Sequence, residues 1–432
     1  MKLLGKSWKY INEGNAHIVV QISDTGYVLR LIKEDEITAH QKNVYDFVNF
    51  VNLIMVPLLE NKFYGIEEAI EIPQHDLSEL SKILLPFRPA NRIFKSVLSQ
   101  IAIKASNLSV VSPKCETNYC IEIKPKEGFM SSSLKKYSKC YYCLKQHLKL
   151  KTGTIPTTSQ YCPLDLFSGD KERMKHSLLN MINNPQNNFK LFRDGVLIFH
   201  EKSSSSDLDS ILKSIKYLDS NLFLDFIVDI LLSDKNVSYI KLERSKNTIM
   251  KNTSNHCFES NNLKCNTFLY KLLQLQKLSE TYNFDPKDFK NNYTDYVPKL
   301  IEEVKSRNLD LNIQNERDMF LKTTDPIHLA LIAAIAKDCS IMLSFSTDYV
   351  ENYPYVEVGE SKIFYKLALT DLEPKSPTTL SKRKNTEKKL IEIYEKYVET
   401  LDKGEDERDN STAHRNKSKT TRSMAATHHR VS

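Results

Sequence analysis

The pattern of apolar and polar positions divides the chain into a strand-rich start and a mixed remainder. Ile18-Val19-Val20-Gln21-Ile22 and Tyr27-Val28-Leu29-Arg30-Leu31-Ile32 flank Ser23-Asp24-Thr25-Gly26, two β-rich runs about an Asp/Gly turn that predict a hairpin. Val44, Phe47, Val48, Val51 and Ile54 recur at helical spacing between Gln41 and Met55, and Pro57 is expected to break that helix. Asp170 is placed to cap a second helix, in which Met174, Leu178, Met181 and Ile182 share one face, ending near Asn184-Pro185. Thr324-Asp325-Pro326 opens a third helix with proline at its first position. From Leu329 to Ala336 that helix is apolar on all sides, so deep burial is expected. Lys337-Asp338 then leads into a predicted strand, Cys339 to Phe345, and a second strand, Ile363 to Leu369, delivers Asp371. Ser203–Ser206 and the Asn/Ser/Lys-rich stretch 245–264 read as loops or an insertion, and the polar last thirty residues as disordered. No internal repeat is evident.

Composition narrows the functional classes. Only 10 of 432 residues are glycine, and no phosphate-cradling loop of the GxGxxG or Walker type is present. The longest apolar run, Leu329–Ala336, is far below the roughly 18–20 residues that cross a bilayer, and the start lacks a secretory h-region. The expectation is a chain neither transmembrane nor exported, in the cytoplasm or nucleus. The net charge of +7 owes five of its positive charges to residues 411–432, so a broad nucleic-acid-binding surface is not implied. Eight scattered cysteines read as free thiols in a reducing compartment. Cys140 and Cys143 alone have metal-ligand spacing; Cys162, His147 and His176 are possible partners in a zinc site, set against buried thiols.

The segment richest in chemistry is Ile121-Glu122-Ile123-Lys124-Pro125-Lys126. Read as a strand, it puts the isoleucines and proline on one face and Glu122, Lys124 and Lys126 on the other. Those charges would be costly in a buried strand unless an anion or metal meets them. An edge strand with a solvated face is the alternative, which the proline favours. Lys135, Lys136, Lys139, Lys145, Lys149 and Lys151 follow, as ligand cations or as a solvated helix face. Pro185–Lys190 offers two amides, or a helix cap and turn, and Asp338 and Asp371 by themselves could each be a cap or turn aspartate.

Ile121–Phe129 (IEIKPKEGF), Pro163–Gly169 (PLDLFSG), Pro185–Phe189 (PQNNF) and Ala336–Met342 (AKDCSIM), in that order, resemble inositol-pentakisphosphate 2-kinases. Glu13-Gly14-Asn15-Ala16 and Asp371-Leu372 extend the resemblance over about residues 8–397. It implies an α/β (α+β) enzyme of bilobal, protein-kinase-like fold. A small β-rich N-lobe would span 1–106 and a larger mixed C-lobe 107–400, with an insertion near 245–264 and a basic tail over 401–432. Its reaction would move the γ-phosphate of ATP, with Mg2+, to the 2-hydroxyl of inositol 1,3,4,5,6-pentakisphosphate, giving inositol hexakisphosphate (phytate). Such a substrate carries roughly −8 to −10 of charge, which calls for several converging cations.

By position, the resemblance assigns Gly14, Asn15, Arg30 and Glu122 to the nucleotide. Arg92, Lys124, Lys126, Lys149, Asn187, Asn188 and Lys375 would take the substrate, with Lys124 also at the transferred phosphoryl group. Asp338 falls at the general base and Asp371 at the magnesium ligand, where Asp338 is a second candidate. The chain departs from the family at Glu373-Pro374-Lys375, where Leu-Lys-Pro is usual, and at Ser376–Thr379 and Arg383, which puts the C-terminal wall of the substrate site in question. The zinc site that plant members carry between the asparagine motif and AKDCSIM has no CxxC here, so no metal besides magnesium is expected. A monomer without membrane or nucleic-acid partners is the expectation. The competing readings are a kinase-like scaffold that binds inositol phosphates without turnover, and an RNA- or DNA-binding protein; the lysines show no aromatic stacking pattern for the latter.

Overall fold

A computed structural model describes residues 5–398, apart from 6, 15, 24, 35–40, 96, 216–217, 243–256, 261 and 282–295. Asn15, most of the predicted insertion and the predicted tail therefore lie outside the described residues. The fold is mixed, with helices and two sheets. The first sheet contains β1 (Trp8–Glu13), β2 (His17–Ile22), β3 (Tyr27–Glu34), β4 (Glu68–Glu71) and β5 (Val97–Ser106), in the order β1-β2-β3-β5-β4 and antiparallel throughout. The expected hairpin is β2–β3, pairing His17 with Ile32 and Gln21 with Val28. Along β2 burial alternates, so Ile18, Val20 and Ile22 point one way. They pack with Leu29, Leu31 and Ala102 against Leu77, Leu80 and Leu84 of the helix Gln74–Leu84.

The second sheet has seven strands: β6 (Tyr119–Ile123), β7 (Phe189–Arg193), β8 (Val196–Phe199), β9 (Tyr239–Lys241), β10 (Ser340–Ser346), β11 (Tyr355–Val358) and β12 (Ser361–Thr370). Their order is β8-β7-β6-β10-β12-β11-β9, and only the β9–β11 pair is parallel. β6 is thus an interior strand, which overturns the edge alternative. Pro125 is compatible with that position because the strand ends at Ile123, so no ladder hydrogen bond is lost to the proline.

The helices follow the sequence closely where their caps are explicit. Asp170 accepts from the Arg173 amide at 2.9 Å and starts the helix Lys171–Asn183, whose Met174, Leu178, Met181 and Ile182 are buried. Asp325 accepts from the Ile327 amide at 2.9 Å ahead of the helix Pro326–Ala336, and from Leu329 onward only Ala334 is less than fully buried. Two expectations fail. Ser204 does not lie in a loop: it forms a reciprocal capping box with Asp207 and starts the helix Ser205–Ser214. Pro57 does not end its helix either. Gln41–Phe50 passes through a π-turn, Val51–Met55, and the chain stays helical to Leu58 because the wider turn re-registers the main-chain bonds ahead of the proline.

Contacts divide the chain into two compact units. Met1–Tyr142 with Ser159–Ser381 is the first and contains both sheets; Cys143–Thr158 with Lys382–Ser432 is the second. Within the second unit, the His147 ring packs 5.5 Å from Tyr394 and 4.9 Å from Tyr397. No helix among the described residues is by itself long and apolar enough to cross a membrane.

Candidate active site

Antiparallel register brings remote segments to one end of the second sheet. Ser340 at the start of β10 pairs with Thr370 at the end of β12, so Asp338 and Asp371 leave the sheet side by side. Ile341 pairs with Ile123, which puts Lys124 and Lys126 at the same end, and Ile123 pairs with Phe189, which adds Asn187 and Asn188. The Lys124 amide extends the ladder by donating to the Asn188 carbonyl at 2.8 Å.

The side chains complete the cluster. Lys124 Nζ lies 3.7 Å from Asp371 Oδ2, and Lys126 Nζ lies 3.8 Å from Asp338 Oδ1. Lys375 Nζ donates to Asp338 Oδ2, and Ser340 Oγ donates to Asp371 Oδ2 at 2.9 Å. Glu122, on the same face, pairs with its cross-strand neighbour Lys190 at 3.2 Å. Lys126 and Asp371 both have left-handed backbone, with φ of 60° and 63°. For L-residues this costs about 1–2 kcal/mol each, and such strain concentrates at functional sites. Burial still alternates beyond the end of the strand, with Ile123 and Pro125 buried and Lys124 and Lys126 half-buried.

The two carboxylates differ in setting. Around Asp338 the surrounding protein favours the neutral acid, but Lys375, then Lys126 and Lys124, outweigh it and hold the carboxyl below its usual range. Asp371 goes the other way: the protein around it raises its pKa, Lys124 opposes, and Glu373 and Glu122 add to the rise. Asp371 is thus an under-compensated carboxylate beside a second acid and a hydroxyl. Such a set of hard oxygen donors suits Mg2+.

Arg30, on β3, does not stand alone. Its guanidinium donates to Glu67 and to Glu373, and Tyr64 donates to the same Glu67 carboxylate at 2.5 Å. Burial next to Arg30 pushes His17 down to about 4. Arg92 closes the Ala90–Arg92 turn and donates to the Glu13 carbonyl, while the Gly14 carbonyl accepts from Lys33. Of the two asparagines, Asn187 is exposed; Asn188 is buried and donates to the Tyr142 hydroxyl at 3.0 Å. Lys149 belongs to the second unit, on the helix Tyr141–Lys151, where burial and then Lys145 lower its pKa.

The main omission from sequence was Gln276. It is fully buried on the helix Phe268–Lys277 and donates to the carbonyls of Lys126 and Ala336 at 2.9 and 3.0 Å, while accepting from the Gly128 amide at 2.8 Å. One amide thus ties the lysine loop to the helix end that carries Asp338. A lone glutamine in an apolar helix gives no signal of this. Glu67 and Glu373 were also missed as partners of Arg30.

A separate thiol group bears on the expectation of no further metal. The sulfurs of Cys140, Cys162 and Cys257 lie within 4.8 Å of one another, with Cys162 and Cys257 at 3.6 Å. Three thiols this close offer part of the donor set of a structural zinc site. Cys257 is the member of the group that sequence spacing did not offer, whereas His147 packs on the tyrosines of the second unit.

Converging cations and two carboxylates of opposite electrostatic bias at the sheet end are the groups a phosphotransferase uses. Residues 10–389 match the family model for inositol-pentakisphosphate 2-kinase. The chain belongs to the inositol-pentakisphosphate 2-kinase family. It is 27% identical to the inositol-pentakisphosphate 2-kinase of Danio rerio, over 91% of this chain and 94% of that one. Those of Oryza sativa subsp. indica and Arabidopsis thaliana are 26% and 27% identical, covering 90% and 89% of this chain and 93% and 85% of theirs.

Proposed function

We propose that this chain transfers the γ-phosphate of ATP to the axial 2-hydroxyl of inositol 1,3,4,5,6-pentakisphosphate, forming inositol hexakisphosphate. The observation that carries this reading is the register of β6, β10 and β12, which places Lys124, Lys126, Asp338 and Asp371 together. Phosphoryl transfer depends on alignment and charge neutralisation more than on covalent work by the protein. Asp338, kept ionised by three lysines, accepts the proton of the attacking hydroxyl. Lys126 and Lys375 hold ring phosphates beside it, with Arg92 and Asn187 as further substrate contacts and Asn188 as a support. Lys124 and Arg30 balance charge on the transferred phosphoryl group and the nucleotide. Asp371, with Glu122 and Ser340 nearby, would hold Mg2+, whose role when bound is to neutralise nucleotide phosphates. In this reading residues 1–106 form the nucleotide-facing lobe and 107–400 the substrate lobe of a kinase-like body. The enzyme works as a monomer in the cytoplasm or nucleus, where its thiols stay reduced.

The test is product analysis after incubation with ATP, Mg2+ and the pentakisphosphate. A sixth phosphate at ring position 2 is expected. Tight binding of the pentakisphosphate without a sixth phosphate would mean a non-catalytic scaffold, and phosphate added to a different inositol would overturn the substrate assignment.

A further inference from the structure

Three charged side chains remote in sequence, and none of them in the catalytic cluster, are buried together beside the first sheet. Glu13 ends β1, Lys33 lies on β3, and Arg88 follows the short turn Leu85–Phe87; their side chains are 0%, 1% and 3% exposed. Glu13 accepts from Arg88 Nε at 2.9 Å, from Arg88 Nη2 at 2.8 Å and from Lys33 Nζ at 2.7 Å. A buried ionic group of this kind is a costly way to gain stability, since apolar residues of similar volume commonly do as well. Its geometry points to another use, because each cation also holds a main-chain carbonyl. Lys33 Nζ donates to the Gly14 carbonyl at 2.6 Å. Arg88 Nη2 donates to the carbonyls of Arg92 at 2.8 Å and Lys95 at 2.6 Å. Arg92 closes the circuit by donating to the Glu13 carbonyl.

We propose that the Glu13–Lys33–Arg88 triad is a positioning device that fixes the nucleotide-side turn at Gly14 and the substrate arginine Arg92 as one rigid body. This rests on the function proposed above, in which Gly14 borders the nucleotide and Arg92 meets a ring phosphate. Glu13 is the shared hub, Lys33 the arm toward the nucleotide turn and Arg88 the arm toward Arg92. None of the three need touch a substrate. The guanidinium fork is essential to the second arm: a lysine at 88 keeps the charge balance and one bond to Glu13, but cannot also span two carbonyls.

The device predicts a split that general destabilisation would not produce. Arg88→Lys should raise KM for the pentakisphosphate about ten-fold while leaving KM for ATP within about two-fold. Lys33→Met should do the reverse, raising KM for ATP. Glu13→Gln should raise both. Thermal melting of each full-length variant checks folding, and Arg88→Lys, which preserves the charge of the triad, serves if Glu13→Gln fails to fold. Arg92→Ala is the control for the underlying reading. If Arg92→Ala leaves KM for the pentakisphosphate unchanged, the substrate role of Arg92 falls and the proposal falls with it. If Arg92→Ala raises that KM but Arg88→Lys does not, the substrate role stands and the positioning role is overturned. Equal rises in both Michaelis constants for Arg88→Lys and Lys33→Met would also overturn it.

Discussion

At the residue scale, the site separates two aspartates by their neighbours. Asp338 has Lys126 and Lys375 on its two oxygens and stays ionised, whereas Asp371 has one lysine at 3.7 Å and two nearby acids. Removing the charge at Asp338 frees both lysines for an anionic ring. Asp338→Asn should therefore lower kcat about 10²–10⁴-fold while KM for the pentakisphosphate stays level or falls. Steady-state kinetics checks this, and a large rise in KM with kcat intact would remove Asp338 as base. The clustering of these side chains was legible because IEIKPK and AKDCSIM are long and specific runs. What stayed hidden were partners whose identity depends on tertiary contact: Glu67 and Glu373 for Arg30, and Gln276 behind Lys126. A glutamate or glutamine looks the same in sequence whether it faces water or a buried guanidinium.

At the element scale, two of the recognisable motifs meet directly. A Cβ at Gly128, in the loop after Lys126, would fall on the ring of Phe167 from the PLDLFSG segment. The ring is fully buried, so it has little room to withdraw. Gly128→Ala should cost about 1–3 kcal/mol and lower the melting temperature, and Phe167→Leu in the same chain should recover part of that loss. Additive losses in the double variant, measured by thermal or denaturant unfolding, would mean that the two do not share a contact. Local signals served well for elements with explicit caps, such as Asp170 and Asp325. They failed where geometry replaced residue preference. A π-turn carried a helix through Pro57, and a serine run of loop-like composition opens a helix through a capping box. The interior position of β6 was not readable either, since pairing partners lie about seventy and two hundred residues away.

At the scale of the whole molecule, stability draws on more than sheet packing. Cys140, Cys162 and Cys257 come from separate stretches, and cysteine spacing alone could not reveal that Cys257 joins the others. The purified protein should contain close to one zinc per chain by elemental analysis. Prolonged chelation should lower the melting temperature, and Cys257→Ser should lower both metal content and stability. Metal-free protein that melts unchanged would leave these cysteines as ordinary buried thiols.

The ten-residue β12 carries one more implication. Thr370 ends the strand beside Asp371, whereas Ser361 begins it at the opposite end, roughly 30 Å away at about 3.3 Å per residue. The exposed hairpin bend at Gly359–Glu360 is therefore insulated from the chemistry by a full strand of main-chain pairing. That bend is the natural place to splice in an epitope or a fluorophore handle, giving a reporter whose attachment leaves phosphate transfer undisturbed.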